Sequence, residues 1–127
     1  MQGNDQFEYA VVRIVPMVER EEFLNVGVVL YCAKQQFLQV KFHLNEERLR
    51  VFCPQVDVAE IRCYLQSFEQ ICEGKKDAGP IAQLPIAGRF RWLTATRSTM
   101  LQTSKVHPGL CSDAAEMLDK IYAQQVM

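Results

Sequence analysis

The sequence has no apolar run approaching the roughly 20 residues that cross a bilayer, and Asn4, Asp5 and Glu8 interrupt its first residues where a secretory signal would be apolar. A membrane protein or secreted precursor is therefore not expected. Histidine is scarce, with two in the chain, and none of the five cysteines stands in a CxxC pair. Histidine-rich metal chemistry and a zinc site built on close ligand pairs are excluded from the reading, and no metal or cofactor is expected. The cysteines, Cys32, Cys53, Cys63, Cys72 and Cys111, are odd in number, which argues against a disulfide framework. They read as reduced thiols used as small hydrophobes, as in a reducing cytoplasm. Charge of one sign is also lacking: 14 basic residues face 15 acidic ones. Without a basic excess, nucleic-acid binding would need a local patch. Finally, there is no GxxxxGK[ST], no GxGxxG after a strand, no GxSxG and no HExxH, so the common phosphate, dinucleotide, hydrolase and zinc-protease signatures are absent.

What is present is globular composition, 49% hydrophobic and 23% charged over 127 residues, enough for one core without staples. A frayed, disordered segment is expected over 1–6 and a single domain over 7–125. Phe7–Val15 is dense in β-branched and aromatic residues and reads as a strand closed by Pro16. A charged connection to Glu22 leads to a second strand, Phe23–Cys32. There Leu24, Val26, Val28, Leu30 and Cys32 alternate as one uninterrupted apolar face. A third strand, Phe37–His43, sets Leu38, Val40 and Phe42 against Gln39, Lys41 and His43. Short connections make these strands an antiparallel meander. A first hairpin symmetric about residue 19 places Val12 opposite Val26, Ile14 opposite Leu24, Arg13 opposite Asn25 and Val11 opposite Gly27.

Asn45 is placed to cap a short helical turn, with Leu44 and Leu49 as a staple. Asp57 caps the main helix, with Glu60 three residues on and Val56 and Ile61 as its staple. Val58, Ile61, Leu65, Phe68 and Cys72 form its apolar stripe, and Gly74 stops it. Gly74–Gly88 reads as loop. Arg89–Thr94 and Thr99–Thr103 read as strands, and His107-Pro108-Gly109 as a turn. Asp113 with Glu116 opens a last helix that buries Ala114, Met117, Leu118 and Ile121. The fold class expected is α+β: an antiparallel sheet of about five strands with two main helices packed on it.

Two polar clusters are candidate sites. One comprises Arg97, Ser98, Thr99, Gln102, Thr103, Ser104, Lys105 and His107; a guanidinium, hydroxyls and an imidazole together suit an anion or phosphate. Its plainer reading is a polar hairpin edge. The other is Arg13 with Asn25, beside Glu19, Arg20 and Glu22, where Gly27 leaves room for close approach. It reads as a binding cleft at one end of the sheet, or else as a structural Arg–Glu pair with Gly27 accommodating a neighbour such as Trp92. A proton-transfer role for His107, with Ser98, Ser104 or Ser112 as nucleophile, is the catalytic variant.

Tyr9-Ala10-Val11-Val12-Arg13, Glu22-Phe23-Leu24-Asn25-Val26-Gly27-Val28, Ala78-Gly79-Pro80-Ile81, Arg89-Phe90-Arg91-Trp92-Leu93, Arg97-Ser98-Thr99 with Gln102, and His107-Pro108-Gly109-Leu110 together resemble the bacterial family known as domain of unknown function 3037. The resemblance runs from about Phe7 to the last helix. It carries no activity to transfer. It implies a stand-alone protein encoded beside a relative of HipA-type Ser/Thr kinases, hence a kinase-like partner. The polar positions matching the pattern are Arg13, Glu22, Asn25, Arg97, Ser98, Gln102 and His107, which are taken as ligand- or anion-binding candidates; no residue is assigned a catalytic role. The first reading of function is a cytoplasmic binding or regulatory module acting with a protein partner, rather than an enzyme. Alternatives are an enzyme on a phosphorylated or nucleotide substrate, clamped by Arg13 and Arg97 with His107 as acid or base, and a nucleic-acid-associated module using Arg89, Arg91, Arg97 and Lys105.

Overall fold

A computed structural model describes residues 5–15, 22–95 and 99–126 of the chain. Among them are five strands and four α-helices: β1 (Asp5–Ile14), β2 (Leu24–Cys32), β3 (Phe37–Phe42), α1 (Glu46–Phe52), α2 (Val58–Glu73), α3 (Ile86–Leu93), β4 (Leu101–Thr103), β5 (His107–Cys111) and α4 (Ala114–Gln125). The sheet is antiparallel in the order β3-β2-β1-β4, with β5 also paired to β1. β1 is thus the hub. Its far side is shared end to end by β4, opposite Val12–Ile14, and β5, opposite Asp5–Tyr9. The α+β class and the antiparallel sheet agree with the sequence reading.

The two faces of the sheet carry separate cores. Ala10, Val12, Ile14, Leu24, Val26, Val29 and Leu38 pack against Leu49 of α1, the α2 stripe Ile61-Leu65-Phe68-Cys72, and Phe90 and Leu93 of α3. Phe7, Val28, Leu30, Cys32 and Cys111 pack against Ala114, Leu118, Ile121 and Tyr122 of α4. The two main helices therefore lie on opposite faces. The helix signals hold: the Asn45 side chain accepts from Arg48 N at 3.0 Å and that of Asp57 from Glu60 N at 3.2 Å, and Gly74 ends α2 in the left-handed region at φ 71°.

The single apolar face expected on β2 is overturned by a β-bulge. Ile14 opposes Leu24 and Arg13 opposes Asn25, as the pattern dictates, but Val12 opposes Gly27 and Val11 opposes Val28. Val26 is the extra residue. One added residue reverses every later side chain, so Leu24 and Val26 enter the α2 core while Val28, Leu30 and Cys32 enter the α4 core. The bulge also corrects the role of Gly27. A Cβ there would lie 2.6 Å from the Lys41 carbonyl oxygen and 2.7 Å from Phe42 Cβ, so the close neighbour is β3, not Trp92.

Four other local expectations change. Arg89–Thr94 lies in α3 and its cap rather than in a strand: Pro85 opens the helix, and Ile86, Phe90 and Leu93 share one inward stripe. His107-Pro108-Gly109 is no turn but the start of β5, so the expected count of five strands is met with a different fifth member. β1 begins at Asp5, two residues before Phe7, because Asp5 and Gln6 pair with Cys111 and Leu110. β4 shortens to Leu101–Thr103.

Candidate functional site

Strand alternation builds the site. Val12 and Ile14 of β1 and Leu24 and Val26 of β2 enter the α2 core, so Arg13 and Asn25, opposed on the hairpin side of the bulge, both turn to the α4 face of the sheet. β4 adds Gln102 opposite Arg13 on the other flank. Arg13, Asn25 and Gln102 thus stand side by side on three adjacent strands. Each is half-buried.

Arg13 lies with its guanidinium carbon 4.0 Å from the centroid of the Phe23 ring, a cation–π contact. Burial pulls its pKa below the ordinary arginine value by desolvation. Among the described residues no carboxylate forms a salt bridge with it, and its Nε is buried without a hydrogen-bond acceptor. The expected structural Arg–Glu pair is therefore not formed with Glu22, which is exposed at the entry to β2; Glu19 and Arg20 lie outside the described residues. Asn25 donates from Nδ2 to the Gln125 carbonyl at the end of α4, 3.2 Å, while its Oδ1 is buried with no donor. A donor and an acceptor, each unmet, occupy facing register positions. Gln102 is turned to its own strand and donates to Thr99 O at 2.7 Å.

His107 shares the face but not the place. It pairs with Tyr9, four residues from Arg13 along β1 and thus about 13 Å away at strand rise. Its ring lies 5.2 Å from that of Tyr9. Ser104, a candidate nucleophile, has a structural task. It sits in the gap between β4 and β5, where its Oγ accepts from Val11 N at 2.8 Å and donates to Lys105 O at 2.9 Å, while its own N–H donates to Val11 O. Its hydroxyl is buried and committed. Ser112 is exposed and far along β5 from Arg13. Arg97 and Ser98 lie outside the described residues.

Two features escaped the sequence. Phe23 reads there as the first strand residue, yet its exposed ring supports Arg13; its place two residues before Asn25 is the only signal. A small apolar cavity of about 230 Å³ is lined by Tyr64 and Phe68 of α2, Trp92 of α3 and Leu101 of β4. The sequence pattern, which reads Trp92 as part of a strand, does not bring these residues together. Among the described residues, no three His, Cys, Asp or Glu side chains gather as metal ligands would, and no helix is long and apolar enough to cross a membrane.

No curated protein and no solved structure matches the chain. The family model described as protein of unknown function, DUF3037, matches residues 9–126, nearly the whole chain, from within β1 to the end of α4. The chain belongs to that family.

Proposed function

We propose that this protein is a binding or regulatory module that acts with a protein partner and receives an anionic group of that partner at Arg13. One observation carries the reading: a desolvated guanidinium, stacked on Phe23, with no carboxylate among the described residues and an orphaned Nε beside the orphaned Oδ1 of Asn25. A buried donor or acceptor left unmet costs about 1–3 kcal/mol. An anion that also bears a donor offsets both costs at once, and arginine's planar fork suits a carboxylate or phosphate. The family resemblance adds the kind of partner, a HipA-type kinase, and the thiol-rich composition fits a bacterial cytoplasm.

Binding is favoured over catalysis because the acid–base candidate His107 lies against Tyr9 about 13 Å along the sheet, and the Ser104 hydroxyl is fully engaged. A nucleic-acid role is less well supported. Arg91 pairs with Glu8 at 3.0 Å, and Arg89 donates to Leu84 O at 2.7 Å.

The test follows the Arg13 Nε–H resonance during titration with inorganic phosphate and, separately, acetate. It is joined to partner capture from native cells with wild type, Arg13→Lys and Arg13→Gln. A saturable shift of that resonance is expected, with capture weakened about tenfold by Arg13→Gln at an unchanged unfolding midpoint. No shift with either anion, together with equal capture by all three proteins, rules the reading out.

A further inference from the structure

The two edges of the sheet differ, and the difference points to a second binding surface. Val11 exchanges hydrogen bonds with Ser104, so the N–H and C=O of Val11 point away from β2. By the alternation of an antiparallel ladder, those of Val28, opposite Val11, then point to β3. The bond from His43 N to Val26 O, 2.9 Å, agrees with this phase. Lys41, Gln39 and Phe37 therefore bond inward to β2, and the N–H and C=O of Leu38, Val40 and Phe42 point outward. No partner for them exists among the described residues.

The same phase on the opposite edge turns Pro108 and Leu110 outward, and Pro108 has no N–H to offer. That edge is further broken between β4 and β5. Short strands, a proline and a break are the devices that blunt an edge. β3 has no proline and no break over its six residues, and its one lysine, Lys41, is drawn onto Asp119 of α4 at 2.9 Å. Beside it, on the α2 face, runs a groove of about 560 Å³, lined by Leu38 and Val40 and by Gln36, Glu69, Glu73 and Arg89. Its charges are not equally engaged. Arg89 donates from Nη1 to the Leu84 carbonyl while its buried Nε has no acceptor, and Glu73 stands 3.8 Å from Lys75. Glu69 has no ion pair among the described residues.

We propose that the free edge of β3 takes up an extended segment of a partner protein as an added strand, with a lysine or arginine of that segment directed into the groove at Glu69. Main-chain bonds to Leu38, Val40 and Phe42 supply affinity, and the carboxylate selects a basic side chain. A second copy fits less well: pairing β3 with β3 about a two-fold axis would set the Glu69–Glu73 groove against its own counterpart. The surface lies on the edge of β2 away from Arg13 and stands or falls independently of the anion site.

The probe is a short blocked peptide alternating lysine with valine, compared with one alternating glutamine with valine, added to the full chain at up to millimolar concentration. Amide exchange at Leu38, Val40 and Phe42 is expected to slow with the lysine peptide. Val40→Pro removes an outward N–H, which an edge strand tolerates, along with the valine side chain that lines the groove, and should weaken binding about tenfold or more. The lysine peptide N-methylated at alternate residues makes the same test on unaltered protein. The lysine peptide should bind about two- to fivefold tighter than the glutamine peptide, and Glu69→Gln should erase that difference. Unchanged exchange at the three amides, or full binding of the methylated peptide, overturns the added strand. Equal binding of the two peptides overturns the basic preference. Protection without peptide that rises with protein concentration, alongside a dimer in sedimentation, gives the edge to a second copy and overturns the proposal.

Discussion

Burial acts on Arg13 and Cys72 with opposite consequences. In both it penalises the charged form. It lowers the Arg13 pKa, yet an arginine keeps its proton at neutral pH, so the cost stays with the folded protein. Cys72, buried between α2 and the sheet, is pushed up to about 12, chiefly by desolvation; it stays neutral, and the cost appears only when alkali tries to ionise it. The folded-state pKa lies above the unfolded value of 9.0. The stability linked to this thiol is therefore intact below that pH and is lost as pH rises toward the folded value, at about 1.4 kcal/mol per pH unit. Urea unfolding across this alkaline window should show wild type losing stability faster than Cys72→Ala, which removes the titrating thiol. Parallel curves for the two proteins would refute the assignment. The exposed Cys63 should react with a thiol reagent in the native state while Cys72 does not.

At the scale of elements, β5 is the informative case. A strand beginning His-Pro-Gly contradicts local propensity, and both offending residues are resolved by neighbours distant in sequence. The missing N–H of Pro108 faces away from β1, where nothing needs it. Gly109 lies under the ring of Phe7, its cross-strand partner: a Cβ there would stand 2.5 Å from Phe7 Cζ, an aromatic covering a strand glycine. Gly109→Ala is expected to force the buried Phe7 off its site and cost about 1–3 kcal/mol in urea unfolding, whereas Gly79→Ala, which meets no neighbour but is strained at φ 95°, serves as a backbone-only comparison. A neutral Gly109→Ala would mean that Phe7 has room to move. The same long-range dependence explains what the sequence made legible. Caps and stripes of α1, α2 and α4 are local and were readable, as was the opposition of Arg13 to Asn25, since the hairpin register holds from Ile14 to Arg13. The bulge at Val26 was not readable: Leu24, Val26, Val28 and Leu30 are apolar on either face, and only two cores, one on each side, reveal the reversal. Gln102 joined the site through a pairing with β1 that spans most of the chain, and Phe90 and Trp92 mimicked a strand because an eight-residue helix gives few repeats to read.

The whole molecule is a sheet between two cores that share β1 and β2 and little else. At one end of the sheet a single side chain gathers the bonds that tie the α4 layer to the strands. Gln35, in the turn between β2 and β3, donates from Nε2 to Asp5 Oδ2 at 3.0 Å and to Ser112 O at 3.1 Å, and its Oε1 accepts from Ala114 N at 2.9 Å. It joins the first residue of β1, the end of β5 and the first turn of α4, and it supplements the cap that Asp113 places on that helix through Ala115 N and Glu116 N. Net contributions of about 0.5–1.5 kcal/mol per hydrogen bond, discounted for solvent, put the loss in Gln35→Ala at roughly 1–3 kcal/mol. Because all three bonds belong to the α4 layer, the loss should be local. Native-state hydrogen exchange should quicken in α4 and over Asp5–Phe7 and remain unchanged in α2, whose core of Ile61, Leu65 and Phe68 faces the other way. Equal acceleration in both layers would show instead that the sheet transmits the loss and that the two cores open as one cooperative unit. In that case the Arg13 site, which leans on the end of α4 through Asn25, would be held by the global stability of the protein rather than by its own layer.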